Sequence, residues 1–224
     1  MTALLALEAS TRAGSVALLT GASERVAIDE RELAGARAHA SDLLPEADRL
    51  LAARGLALTD LDAIVVGLGP GSYTGLRVAC ATALGLARGA GLALVGVPSF
   101  EAAALAALSA GEEAMVVVDA RAGAFYHARY ARDEGDALRV VAAPAVTPAA
   151  ALRDALVAGA ILIASEATLD ALELTGDPRA RDFAPRAGAL ARRGAARLAS
   201  DGPSARESIE PLYLRAFAAK RRSS

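Results

Sequence analysis

The spacing of apolar positions changes along this chain, and each change marks an element. Ala3–Leu7 is an apolar run that stops at Glu8, Ser15–Leu19 resumes it after S-T-R-A-G, and Val26–Glu30 follows. Short apolar runs joined by turn residues predict an antiparallel meander. From Ser41 the period lengthens: Leu43, Leu44, Ala47, Leu50 and Leu51 fall on a helical stripe. Ser41 reads as its cap, Pro45 as a first-turn proline and Gly55 as its stop. Ala63–Val66 then predicts a buried strand, 74–88 a helix closed by Gly89 and Gly91, Leu92–Val97 another buried strand, and Ser99 the cap of a helix running toward Gly111. A meander followed by alternating helices and strands predicts an α/β lobe whose later strands are parallel.

The second half repeats the opening theme. Met115–Val118 ends in Asp119, a turn containing R-A-G follows, and Ala124–Tyr130 returns, as the first run ends in Glu8 before its own R-A-G turn. Two readings fit: ordinary hairpins in an alanine-rich chain, or a duplicated lobe with one carboxylate hairpin from each half facing a cleft. In the second, backbone N–H groups could hold phosphates while Glu8 and Asp119 position a metal ion through water. Leu138–Ala142 and Ile161–Ala164 predict further strands. Thr147-Pro148 predicts a helix start, and Ala187–Leu198 a helix ended by Gly202-Pro203. Ile209–Arg215 is apolar enough to pack back onto a lobe, and the K-R-R-S-S tail is expected to be mobile. The expected division is 1–111 for the first lobe and 112–224 for a smaller second one.

Composition narrows the function classes. The chain has 224 residues, 54% of them hydrophobic and 4% aromatic, with 24 Lys+Arg against 26 Asp+Glu. Such a chain has a core to bury, but neither a uniformly basic surface nor a base-stacking platform for nucleic acid. Cys80 is the single cysteine, which excludes a disulfide framework and fits a reducing cytosol. The N-terminus has no basic segment before its apolar run, so no signal peptide is expected. The apolar stretch from Gly91 to Leu108 is cut by Pro98 and Glu101 and does not read as a membrane span.

The most suggestive stretch is V-G-L-G-P-G-S-Y-T-G-L-R-V-A, from Val66 to Ala79. A strand ends, glycines permit close backbone approach, and a helix opens with free N–H groups. Gly69, Gly71, Ser72 and Thr74 are the candidate phosphate contacts. Yet the stretch has no lysine, and the positions that define a Walker A loop or a dinucleotide fingerprint hold Ser72 and Thr74 instead. A tight structural turn with a hydroxyl cap explains the same residues. In the helix that follows, Gly75, Ala79 and Ala83 make one small face, and Ala81, Gly85 and Gly89 another. An interior glycine costs a helix about 1 kcal/mol relative to alanine, so Gly85 suggests close approach by another backbone.

Other chemistry is sparse. His39 and His127 are the only histidines; Leu43 stands four residues after His39, so no histidine pair is set to hold a metal on that helix. His39 reads as a capping or hydrogen-bonding residue and His127 as a surface strand residue. No spacing of Ser, His and Asp suggests a triad. Arg179, Arg181, Arg186, Arg192, Arg193 and Arg197, interleaved with Asp177 and Asp182, read as a solvated face or as an RNA contact.

Taken in order, L-A-L-E-A-S-T, R-A-H-A-S-D-L-L-P, G-L-G-P-G-S-Y-T-G-L-R, V-D-A-R-A-G-A-F-Y and E-P-L-Y-L-R run from Leu5 to Arg215 and closely resemble the TsaB (YeaZ) family. The resemblance implies an α/β, actin-like (ribonuclease-H-like) fold of two lobes, mixed sheets flanked by helices, with the second lobe reduced. It implies a cytoplasmic, non-catalytic subunit needed to form N6-threonylcarbamoyladenosine at position 37 of tRNAs that read codons beginning with A. The implied partners are a metal-binding TsaD-like transferase and a TsaE-like ATPase, with tRNA met only through the complex and no membrane involved. A homodimer is the competing state. No cofactor is implied for this chain alone; ATP or ADP belongs, if anywhere, at the interface of the complex. Family pairing uses the first two helices, which implicates Leu44, Ala47, Leu51, Ala81, Gly85 and Arg88. The sequence departs from the family at Glu8, where aspartate is usual, and at Ala40, where a hydroxyl residue is usual. The alternative reading is a small-molecule kinase or ATPase of the same fold, with Glu8 and Asp119 as its magnesium carboxylates.

Overall fold

The computed structural model describes residues 2–22, 25–34, 39–134, 137–156 and 160–212, less the side chains at 22, 25, 39, 40, 154 and 155. The expectations for the His39 side chain, for Ala40 and for the segment 213–224 therefore lie outside the described residues. In the first half, β1 (Thr2–Glu8), β2 (Ser15–Ala22) and β3 (Arg25–Glu32) precede α1 (His39–Ala53), β4 (Ala63–Gly67), α2 (Tyr73–Ala90), β5 (Ala93–Val97) and α3 (Ser99–Ala107). The second half holds β6 (Glu113–Asp119), β7 (Ala124–Arg132), β8 (Leu138–Pro148), α4 (Ala149–Ala155), β9 (Ile161–Ile163), α5 (Glu166–Ala171), β10 (Ala180–Arg181) and α6 (Ala187–Asp201).

Two sheets of the same plan result. The first has the order β3-β2-β1-β4-β5 and the second β8-β7-β6-β9-β10. In each, a three-stranded antiparallel meander continues into parallel strands, with Glu8 paired to Ser15 in one and Asp119 to Phe125 in the other. The sequence echo is thus a duplicated topology.

Both faces of each sheet are covered, which is why the central strands are apolar throughout rather than alternating. In the first sheet Leu5, Leu7, Ile64 and Val66 pack against α1 and α2, while Leu4, Ala6, Val65 and Val95 pack against α6. In the second, Ala114 and Val116 meet Phe100, Ala103 and Ala104 of α3, while Met115 and Val117 meet Leu152 of α4 and Leu169 of α5.

The helices cross between halves. α6, from the second half of the chain, lies on the first sheet, and α3, from the first half, lies on the second. Gly194 lets α6 sit this close, since a Cβ there would stand 2.5 Å from Val65 Cγ1. After α6 the chain runs along the free edge of β5, with Ser204 N donating to the Leu94 carbonyl (2.8 Å) and Leu212 N to the Leu68 carbonyl (2.8 Å). Ile209 is buried in the α1/α2 core, as the apolar character of this segment suggested.

Several local expectations shift. α1 begins at His39, so Ser41 is inside it rather than capping it, and Pro45 sits beyond the first turn on an exposed face. β8 runs through Thr147 and Pro148, and α4 starts only at Ala149. Thr147 is held in the strand opposite Phe125. Pro98, not Ser99, occupies the cap position of α3, and Ser99 is buried.

Candidate functional site

Between β4 and α2 every loop glycine faces an atom of this same chain. A Cβ on Gly67 would stand 2.3 Å from Glu8 Oε2 and 2.9 Å from Ser99 Oγ, and one on Gly71 would stand 2.2 Å from the Ser10 carbonyl oxygen. Gly69 has a φ of +89° and is followed by a cis bond to Pro70. Several N–H groups around the loop are also in use. Gly69 N donates to Ser99 Oγ (3.1 Å), Ser72 N to the Ser10 carbonyl (2.7 Å), and Gly75 N to Ser72 Oγ (3.2 Å), which caps α2.

A phosphate cradle needs free N–H groups converging on one point. Here the partially negative Ser10 carbonyl lies against the loop instead. Gly71 and Ser72 fasten the strand-to-helix corner onto the first hairpin and Gly69 ties it to Ser99, while Thr74 is exposed in the first turn of α2. Ser72 and Thr74 remain exposed, but the hydroxyl of Ser72 already accepts from Gly75.

Glu8 sits beneath this corner with no exposed surface. Its Oε1 accepts from Ser10 N (2.6 Å), while Oε2 and Ser10 Oγ have no hydrogen-bond partner among the described residues. Burial pushes its pKa up from the ordinary value, offset in part by the Ser10 amide. An acid that resists ionisation is a poor holder of a hydrated cation. Asp119 differs in exposure, with 37% of its side chain accessible. It makes the same local bond, accepting from Arg121 N two residues on (2.7 Å). Each carboxylate thus closes its own turn. The turns themselves differ: Arg121, Ala122 and Gly123 are all left-handed, with φ of 68°, 52° and 70°, whereas no residue from Glu8 to Ser15 is. In this structure both Glu8 and Asp119 serve turn closure. Among the described residues no group of three or more His, Cys, Asp and Glu side chains could hold a metal ion.

The two small faces of α2 have different fates. Gly75, Ala79 and Ala83 are buried against the sheet. Ala81, Gly85 and Gly89 are exposed along with Arg88, and a Cβ on Gly85 or Gly89 would meet nothing within 4 Å. Among the described residues no backbone makes the close approach that Gly85 suggested; the helix glycine that is closely approached is Gly194 on α6, by the Val65 side chain. Leu44 on the neighbouring α1 is 47% exposed and Tyr73, at the start of α2, 44%. Arg77 lies over the Tyr73 ring at 5.3 Å and donates to its hydroxyl (2.6 Å). Ala47 and Leu51, expected on this surface, belong instead to the core, at 3% and 5% exposure. The stripe that buries α1 runs through Leu43, Ala47, Leu50 and Leu51, and among the described residues Leu44 is the one large apolar side chain of this helix that is exposed. Sequence reasoning missed Tyr73, although an aromatic directly after the glycine loop was a visible signal.

His127 is half-buried and its Nε2 lies 2.8 Å from Thr147 Oγ1; burial lowers its pKa. The arginines of the second half are mostly committed. Arg179 pairs with Asp177, Arg181 with Glu112, and Arg186 with Glu32, while Arg193 and Arg197 share the buried Glu101. Arg181 and Arg132 also donate to carbonyls at the end of α3. This explains their number without RNA. Among the described residues no helix is long and apolar enough to cross a membrane.

Comparison with known proteins agrees with this geometry. Residues 32–220 match the family model described as TsaD: tRNA N6-adenosine threonylcarbamoyltransferase. The tRNA threonylcarbamoyladenosine biosynthesis protein TsaB of Haemophilus influenzae is 41% identical over 133 residues, 58% of this chain and 55% of that protein. Its Escherichia coli counterpart is 37% identical over 133 residues, 58% of this chain and 56% of that protein. The matched region therefore spans little more than half the length of these curated relatives. The solved structure of YeaZ from Pseudomonas aeruginosa superposes with a TM-score of 0.80 at 30% identity, covering 96% of this chain and 100% of that one. The fold is accordingly the α/β, actin-like two-lobe fold, and the chain belongs to the TsaB (YeaZ) family.

Proposed function

We propose that this chain is a non-catalytic assembly subunit in the formation of N6-threonylcarbamoyladenosine on tRNA, acting by binding and activating a metal-binding, TsaD-like transferase. The observation that carries the reading is the outer face of α2. Ala81 and Gly85 are exposed on it, Leu44 is exposed on the neighbouring α1, and space around Gly85 is open. Helices packed through small residues bring their axes to about 8 Å, and a stripe of this kind on an exposed helix suits another helix rather than water. The names of the curated relatives support the pathway. The sealed Glu8 and the close packing of the glycine loop on Ser10 support the lack of chemistry in this chain. Any ATP or ADP used by the complex is then held at its interface, where a TsaE-like ATPase also joins, and tRNA meets the chain only as part of that assembly. A homodimer through the same face would compete with the partner.

Gly85→Arg and Ala81→Arg test the placement. Both positions are exposed, so the variants fold, but a long cation in a helix seam should weaken pairing at least about 100-fold, roughly 2.7 kcal/mol. Co-purification with the TsaD-like subunit, followed by a tRNA modification assay with and without this chain, reads the result. Normal pairing of both variants refutes the interface. Robust ATP hydrolysis by the isolated chain refutes the non-catalytic role in favour of a small-molecule kinase.

A further inference from the structure

On the face of the first sheet opposite α1 and α2, the described residues enclose an open trough of ≈ 990 Å³ with α6 as its floor. β3 forms one wall through Val26 and Ile28, and the ends of α3 and β7 form the other through Leu105 and Arg132. Val26 is 38% exposed, high for an apolar side chain beside a core. Gly188 to Ala199 on the floor spans about 16 Å at 1.5 Å per residue.

The charges in this trough are unevenly settled. Arg132 donates to carbonyls of α3, Arg186 pairs with Glu32, and Arg193 with Glu101. Glu30, on the β3 wall, lies within the field of Arg186. Arg192 alone among these arginines is exposed with no hydrogen bond or ion pair to any described residue. It stands in a ridge of Ala189, Arg192, Ala196 and Ala199, spaced by threes and fours, the repeat by which one helix seats another.

We propose that this trough is a second docking surface, and that its occupant is a helix of a partner protein with a small apolar stripe and a carboxylate placed against Arg192. Charge complementarity selects this occupant. A second copy docked face to face would set Arg192 against Arg192. The chain's own segment 213–224 carries Arg215, Lys220, Arg221 and Arg222 and no acidic side chain, the wrong sign. A nucleic acid needs several free cations, and among the described residues the alanine floor offers Arg192. Because the trough and the α1/α2 face lie on opposite sides of one sheet, the chain could hold two partners at once.

The test places the photoreactive p-benzoylphenylalanine at Ala196 in the full chain, expressed in its own cells. Irradiation should give an adduct with one protein, attached to a helix bearing Asp or Glu within a turn of the crosslink. Arg192→Glu, at an exposed position, should lower that adduct about tenfold or more, and Arg in place of the partner's acid should restore it. Gly85→Arg should leave it unchanged, which separates this surface from the pairing face. No adduct, an adduct with the chain itself or with RNA, indifference to Arg192→Glu, or loss with Gly85→Arg would each overturn the proposal.

Discussion

Replacing Glu8 with glutamine should stabilise the chain at neutral and alkaline pH. The carboxyl is wholly buried, and burial raises its pKa above 4.5, so the folded chain holds this proton more tightly than the unfolded one. Below the unfolded value both states are protonated and the group costs the fold little. As pH rises from there toward the raised folded value, the unfolded chain releases the proton and the folded chain keeps it. Stability then falls by about 1.4 kcal/mol per pH unit, until the folded value is passed and the loss is complete. Glutamine has nearly the same shape. Its carbonyl can still accept from Ser10 N, and its amide NH₂ can take the place of Oε2, which has no partner among the described residues. The variant should lack the slope. In a chain of this size each kcal/mol moves the Tm by about 2–4 °C, so each pH unit within the window should separate the two proteins by about 3–6 °C. Urea and thermal melts followed by circular dichroism from about pH 4 to pH 9 would measure it, with the curves meeting at the acid end and the variant ahead thereafter. Parallel curves, or a variant less stable than its parent at about pH 8, would show that Glu8 is a stably ionised group and that the reasoning is wrong.

Two further outcomes follow from buried groups. Glu101, with 3% of its side chain exposed, accepts from Arg193 Nε (2.5 Å) and Arg197 Nη2 (2.7 Å) and ties α3 to α6. Glu101→Gln should cost about 2–3 kcal/mol, less than a fully buried pair because both arginines keep some water, and should lower the Tm by about 4–12 °C; an unchanged Tm would mean the carboxylate adds nothing to the lobe junction. Burial and the nearby Glu8 push the Cys80 thiol up to about 12. The native chain should therefore resist a thiol reagent at about pH 8 and react fully in denaturant, whereas rapid native labelling would show that α2 opens from the sheet.

How much of this was legible in the sequence depended on the length of each signal. The long periodic helices and the apolar central strands announced themselves because one element supplied the whole pattern. α5 and β10 were missed, being too short to show a period, and β10 exists only because β9 offers it an edge. The glycine loop was legible as a corner but not in its partner: Gly67 and Gly71 are small because of Glu8 and Ser10, some sixty residues away in the chain. Ala47 and Leu51 went to the wrong face for a similar reason. Helical spacing groups residues into a stripe, but only the position of the sheet decides which stripe faces inward. The arginine cluster looked like a surface until Glu101, Glu112 and Glu32 were brought beside it by the fold.

The exchange of helices between the two halves makes the chain hard to divide. A fragment ending near residue 111 would keep the first sheet but lose α6, leaving Leu4, Ala6, Val65 and Val95 facing water. The remaining fragment would lack α3 and expose Val116 and Tyr130. Each piece carries the cover for the other's core, so neither half is a module that could be borrowed, duplicated or shed alone. The two are instead complementary fragments, expected to become soluble only by finding each other.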